Sequence, residues 1–247
     1  MSVTWNPWHG CRKISPGCKN CYVYRKDSVF DRNSAIVTKN STFNLPIKKN
    51  RQGKFKIPEG KLVYTCFTSD FFLKEADSWR IDAWKMIRER SDLNFFIMTK
   101  RPDRFYFSLP QDWQDGYDNV EIACTVENQE MANTRLPIFL KLPIKHKAIA
   151  VSPILENIDL TTVLNKDIEI VVLGGESGKF SRICNFDWVL NIRNQCINAD
   201  VPFLFHQTGS KLLKDNKIYN IPRKFHHLQA KKANINFKIE EYYENKQ

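Results

Sequence analysis

Short apolar, β-rich runs recur along the chain, separated by polar stretches. They read KLVYTCFTS (61–69), NFFIM (94–98), NVEIACTV (119–126), HKAIAVS (146–152), IEIVVL (168–173) and VPFLFH (201–206), with a further strand expected near residues 2–5. Apolar runs without polar alternation mark strands buried on both faces. Amphipathic stretches lie between several of them. DSWRIDAWKMIRERS (77–91) places Trp79, Ile81, Trp84, Ile87 and Arg88 on an imperfect helical stripe, and FDWVLNIRNQC (186–196) does so with Trp188, Val189, Ile192 and Cys196. Seven strands alternating with helices predict an α/β fold built on a parallel (βα) barrel or partial barrel, with a doubly wound sheet as the alternative. Residues 33–60, punctuated by Asn40, Ser41, Pro46, Gly53, Pro58 and Gly60, read as a long excursion before the second strand. There is no repeat of fixed length and no low-complexity tract.

Polar residues follow most of the strands. Asp70 comes after the second strand, Thr99, Lys100 and Arg101 after the third, and Glu127 and Asn128 after the fourth. Glu176 in GGESG follows the sixth, and His206 and Gln207 end the seventh. In a parallel barrel these positions share one rim, where barrel enzymes place their chemistry. The competing explanation is that such residues simply cap helices and mark strand ends.

Three cysteines, Cys11, Cys18 and Cys21, stand within GCRKISPGCKNCY (10–22). Pro16-Gly17 breaks the chain ahead of CKNCYVYRKDSVF, which has the composition to start a helix. Cys18 and Cys21 would then share a helical face near an N-terminus that favours thiolate. Three convergent thiolates suggest a metal or cluster site. Zinc normally takes four ligands in a structural site, and His9 is the nearest candidate fourth, though it reads better as a loop residue. A [4Fe–4S] cluster held by three cysteines leaves one iron open for a substrate or cofactor. The remaining thiols, Cys66, Cys124, Cys184 and Cys196, are scattered, and Cys66 and Cys124 lie inside apolar runs as core residues do.

Composition narrows the class. The 247 residues are 42% hydrophobic, enough for a substantial core, and contain no apolar run long enough to cross a membrane. The opening MSVTWNPWHG lacks the order of a secretory signal, so a cytoplasmic protein is expected, where disulfides are rare. The net charge of +11 suggests a polyanionic partner, most plausibly nucleic acid. The charge concentrates in PIKKNRQGKFK (46–56) and in SKLLKDNKIYNIPRKFHHLQAKK (210–232), although charge runs also serve merely as solvated surface. One domain over residues 1–209 is expected, with a basic extension, 210–247, packed on its outside.

Six segments in order, TWNPWHGCRKISPGCKNCYVYR, TCFTSDFF, TKRPDRF, TVENQEMANTRLPIF, GGESG and DWVLNIRNQC, resemble the three-Cys-motif phage-type proteins. That family occurs in bacteria and their phages and is largely of unknown function. The resemblance runs from about Thr4 to Gly209. It implies a radical-SAM-like barrel whose cluster is held by Cys11, Cys18 and Cys21, with S-adenosylmethionine as the second cofactor. GGESG resembles the element that contacts the SAM amino group in that superfamily, which makes Gly174, Gly175, Glu176 and Ser177 candidate cofactor-binding residues. Asp70, Lys100, Arg101, Glu127, Asn128, His206 and Gln207 are then candidates for substrate binding. An electron-donor protein, and a partner protein encoded nearby, are further implied.

The chain departs from the pattern in five places, one being Asn20 where an aromatic commonly precedes the last cysteine, with Tyr22 just after it instead. The cysteine spacing is Cys-x6-Cys-x2-Cys rather than Cys-x3-Cys-x2-Cys, and GGESG follows the sixth strand rather than the second. Ser152 stands where relatives carry Glu, and His206 where they carry Lys. Three function classes follow. The first is a radical-SAM-type enzyme of unknown substrate, modifying or repairing a nucleic acid or nucleotide. The second is a zinc- or cluster-stabilised nucleic-acid-binding protein without catalysis, and the third a non-radical barrel enzyme with a structural metal.

Overall fold

The computed structural model describes residues 2–244 and 246; Met1, Asn245 and Gln247, at the margins of the expected 1–209 and 210–247 divisions, lie outside the described residues. The chain forms two compact units. The first comprises Met1–Arg12, Val23–Cys124 and Lys141–His146, and the second Lys13–Tyr22, Thr125–Leu140 and Lys147–Gln247.

In the first unit, strands β1 (Val3–Trp5), β2 (Leu62–Thr65), β3 (Asn94–Thr99) and β4 (Val120–Thr125) run parallel in that order. Val3 stands opposite Val63, Val63 opposite Phe95, and Phe95 opposite Val120, giving one apolar row across four strands. Every residue of β4 is buried, Glu121 and Thr125 along with its apolar residues, as expected of a strand covered on both faces. Residues 33–60 hold only short pieces, among them the strand Thr38–Lys39 and the 3₁₀ turn Leu45–Ile47.

The helix expected over 77–91 is Asp77–Glu89, and its inward face follows the expected stripe at Trp84 and Ile87 but not at Ile81 and Arg88. Arg80, Ala83, Trp84, Met86 and Ile87 are buried, whereas Ile81 is 49% exposed and Arg88 pairs with Asp112 at the surface. Arg80 is fully buried because its guanidinium is satisfied. Nε donates to the Phe71 carbonyl (2.7 Å), Nη2 to the Leu73 carbonyl (2.6 Å), and Nη1 to Asp77 (2.8 Å). A buried charge without such partners would be prohibitive.

In the second unit, β5 (His146–Val151), β6 (Ile168–Gly174) and β7 (Phe203–Gln207) run parallel in that order. Around them lie the helices Gln129–Phe139, Phe186–Asn198, His226–Lys232 and Ile239–Glu244. The helices Phe186–Asn198 and His226–Lys232 both pack against β7. Residues 210–244 are part of this unit. Strands β8 (Lys211–Lys214) and β9 (Lys217–Asn220) form an antiparallel hairpin, β8 pairs with the short strand Cys184–Asn185, and Phe237 exchanges backbone hydrogen bonds with Phe203 at 2.9 and 3.0 Å.

All seven expected strands are present and parallel, and helices fill most of the connections between them, although those from β3 to β4 and from β5 to β6 hold no α-helix, so the chain is a parallel α/β protein. Within each unit the carboxyl ends of the strands fall on one edge, which is where the polar residues gather. No helix among the described residues is long and apolar enough to cross a membrane.

Candidate functional site

In the first unit the strand-end residues build one network around Cys11. Asp70, just beyond β2, accepts four hydrogen bonds: Oδ1 from Phe72 N (3.0 Å) and Thr99 Oγ1 (2.8 Å), Oδ2 from Lys100 N and Arg101 Nη1 (both 2.9 Å). Arg101 Nη1 also lies 3.8 Å from Cys11 Sγ, and its Nη2 donates to the Arg12 carbonyl at 2.8 Å. Burial alone would lower the pKa of this guanidinium, but Asp70 and Cys11 outweigh it and the net shift is upward. A fixed cation beside a thiol favours thiolate. The backbone at Cys11 is held as well: its N donates to the Ser34 carbonyl at 2.8 Å and its carbonyl accepts from the Tyr24 hydroxyl. Gly10 is required just before it, with φ of +91° and a Cβ position only 2.4 Å from the Ile36 carbonyl oxygen. His9 is engaged with Asp27 at 2.7 Å, away from the ligand role weighed for it.

The second unit holds the rest of the cysteine segment. Pro16–Cys18 forms a 3₁₀ turn, and the following α-helix begins only at Tyr22. Cys18 and Cys21 therefore precede the helix rather than sharing its face, because Pro16-Gly17 and the Cys21 N–H, which bonds the Cys18 carbonyl at 3.3 Å, shape a turn. Two buried carboxylates grip this turn. Glu127 Oε1 accepts from Gly17 N and its Oε2 from Arg135 Nη1, both at 2.9 Å. Glu176 Oε2 accepts from Asn20 Nδ2 (2.9 Å) and Arg182 N (2.8 Å), and Oε1 from Arg182 Nη2 (2.5 Å). Arg182 Nη1 then donates to the Pro16 carbonyl at 3.0 Å. Burial would raise the Glu176 pKa, yet hydrogen bonds from Arg182 and Asn20 prevail and hold it below its usual value.

The other candidates occupy varied places. Asn128 caps the helix Gln129–Phe139, accepting from Met131 N at 3.0 Å. Gly174 ends β6, and Gly175 lies so close to β7 that a Cβ would stand 2.2 Å from the Thr208 carbonyl oxygen. The need for glycine there is met by packing. Gln207 Nε2 donates to the Gly175 carbonyl at 2.9 Å, His206 is exposed with its ring edge-on to His227, and Lys100 and Ser177 are half-buried. Arg135, Arg182 and Asn20 are the site residues that strand-end reasoning missed. An arginine eight residues after Glu127 and another six after Glu176 were the available signals.

Burial sorts the seven cysteines. Cys11, Cys18 and Cys21 are half-buried, and Cys66, Cys124, Cys184 and Cys196 are buried. Burial pushes the Cys184 and Cys196 thiols up to about 12 and Cys66 well above its ordinary value, which keeps them neutral. The thiols of the 11–21 segment are thus the accessible ones, and the other four are not. Neither unit alone holds all three motif cysteines, and among the described residues no three His, Cys, Asp or Glu side chains are grouped closely enough to hold a metal ion.

No curated protein and no solved structure matches the chain. Residues 1–242 match the family described as "Protein of unknown function (DUF5131)". With nearly its whole length matched, the chain belongs to the DUF5131 family.

Proposed function

We propose that this protein is an iron–sulfur enzyme of the radical-S-adenosylmethionine type, with Cys11, Cys18 and Cys21 as the ligands of a [4Fe–4S] cluster. The observation that carries the reading is the treatment of the cysteine segment. Its three thiols are the ones left half-exposed, and the buried Arg101 and Glu127 at strand ends, with Arg182, fix its backbone. Such a cluster, when bound, supplies one-electron cleavage of a sulfonium carbon–sulfur bond.

The chain's own residues have definable parts in this reading. Arg101 fixes Cys11 and favours its thiolate. Glu127 and Glu176 hold the turn that presents Cys18 and Cys21. Because Glu176 is occupied by Arg182 and Asn20, its part is to position the segment. The same reading makes the seven strands a partial barrel of the radical-SAM kind in a cytoplasmic, phage-related protein. Its substrate is a nucleic acid or nucleotide, in keeping with the net charge of +11.

The test is anaerobic reconstitution with iron and sulfide, followed by reduction in the presence of S-adenosylmethionine and assay for 5′-deoxyadenosine. A brown protein that loses its absorption in each single Cys→Ala variant at positions 11, 18 and 21, and that yields 5′-deoxyadenosine, meets the proposal. Full iron and sulfide in those variants would defeat it. A colourless protein that retains zinc would instead favour a metal-stabilised nucleic-acid-binding protein, the reading that the basic 210–232 segment supports.

A further inference from the structure

The second unit carries a surface that the cysteine network leaves unused. Between residues 210 and 238 there are eight lysines and arginines and a single carboxylate, Asp215. In the β8–β9 hairpin, Leu212 stands opposite Tyr219 and Lys214 opposite Lys217. Cross-strand partners project to the same side, so these four side chains share one face. Tyr219 is 41% exposed, and the Lys217 ammonium lies 5.2 Å from the centre of its ring. Lys214 and Lys217 are both exposed. Lys214 approaches Asp215 only at 4.0 Å, an exposed contact too weak to neutralise it.

The hairpin has another feature that needs explaining. Strand β9 pairs with β8 on one side and is the edge of its sheet, and all four of its residues are exposed. The tyrosine therefore contributes little to the core. The pattern repeats just beyond the hairpin, where Phe225 is 38% exposed with the Lys224 ammonium 4.9 Å from its ring centre. Exposed aromatic rings with ammonium groups beside them suit single-stranded nucleic acid, whose bases stack on the rings while phosphates meet the cations. A duplex keeps its base faces stacked internally and would engage only the lysines.

We infer that the hairpin face bearing Tyr219, Lys214 and Lys217 binds single-stranded nucleic acid, one base stacking on Tyr219 and the adjoining phosphates meeting the two lysines. The inference names the substrate class for the function proposed above but stands on different residues from the cluster.

Fluorescence anisotropy with labelled single-stranded DNA, single-stranded RNA and duplex of equal length, each over a salt series, tests it. Single strands should bind more tightly than duplex. Tyr219→Ala should weaken single-strand binding roughly five- to a hundredfold, and Tyr219→Phe should preserve it. Replacing both Lys214 and Lys217 by Gln should reduce the slope of log affinity against log salt by about 1.4, at roughly 0.7 per phosphate contact. No binding at low salt would overturn the inference, as would duplex binding equal to single-strand binding with no effect of Tyr219→Ala. Repeating the titration on the Cys11→Ala variant separates the two readings. Binding that persists while iron–sulfur absorption is absent from all preparations defeats only the cluster, and a cluster without oligonucleotide binding defeats only the hairpin site.

Discussion

Arg101 links Asp70 to Cys11: one guanidinium nitrogen lies 2.9 Å from the carboxylate and 3.8 Å from the thiol. Both charged side chains are nearly inaccessible, at 8% and 7% exposure. Arg101→Ala would leave Asp70 buried without its countercharge, and loss of one partner of a buried pair costs about 3–5 kcal/mol. Urea denaturation should show that loss. Arg101→Lys keeps a charge but not the planar fork that reaches both Asp70 and the Arg12 carbonyl, so it should recover only part of the stability. Full recovery by lysine would mean that charge alone matters at this position.

Glu127 and Arg135 form the corresponding pair in the second unit, at 0% and 6% side-chain exposure. Glu127→Leu and Arg135→Leu should each be severely destabilising, while the double variant should be less unstable than the sum of the two by on the order of 1–3 kcal/mol. Additive effects in such a cycle would show that the two side chains act separately.

The two glycines of GGESG give a sharp contrast. A Cβ on Gly174 would first meet the flexible Gln207 side chain at 3.0 Å, while one on Gly175 would meet the Thr208 backbone at 2.2 Å. Gly175→Ala should therefore lower stability by about 1–3 kcal/mol, the usual range for overpacking, and Gly174→Ala by less. A thermal melt of the two variants decides it.

Acid should loosen the grip on the cysteine turn. The Glu176 pKa is lowered in the folded chain, with burial opposing and Arg182 and Asn20 prevailing. A carboxylate with a depressed folded pKa adds stability above its unfolded value, here 4.5, and that stability disappears as pH falls through the folded value. Urea midpoints measured from pH 7 downwards should decline below about pH 4.5, and Glu176→Gln should flatten the decline. An unchanged slope in that variant would assign the effect to other groups.

Thiol accessibility offers a check that needs no cofactor. Iodoacetamide added to the folded, metal-free chain should modify Cys11, Cys18 and Cys21 and spare Cys66, Cys124, Cys184 and Cys196 until denaturant is added. Peptide mass spectrometry reads the outcome directly, and early labelling of Cys184 or Cys196 would contradict their burial.

The strands were readable in the sequence because most of their residues are buried, which leaves mainly apolar runs that Glu121, Lys147 and Glu169 interrupt only singly. The helix Asp77–Glu89 was readable in position but only partly in orientation. Its inward face includes Arg80, and no hydrophobicity pattern marks an arginine whose charge is met by carbonyls of the loop before the helix, nine and seven residues back. At the site, Asp70, Arg101, Glu127 and Glu176 were found from their places at strand ends. What they touch was not legible, since the contacts of Glu127 with Gly17 and of Glu176 with Asn20 span 110 and 156 residues. The cysteine turn was misread as the start of a helix because helix-forming composition after Pro16-Gly17 does not reveal the tertiary hydrogen bonds that compete for its backbone.

The carboxylate–arginine pairs at the strand ends also constrain how this family can diverge. Asp70 with Arg101 and Glu127 with Arg135 leave a buried charge stranded if either member changes alone, and Glu176 is stranded if Arg182 changes. A lineage can cross that gap only by changing both members in close succession or by keeping both. Aligned relatives should therefore show these six positions inherited as three two-letter units.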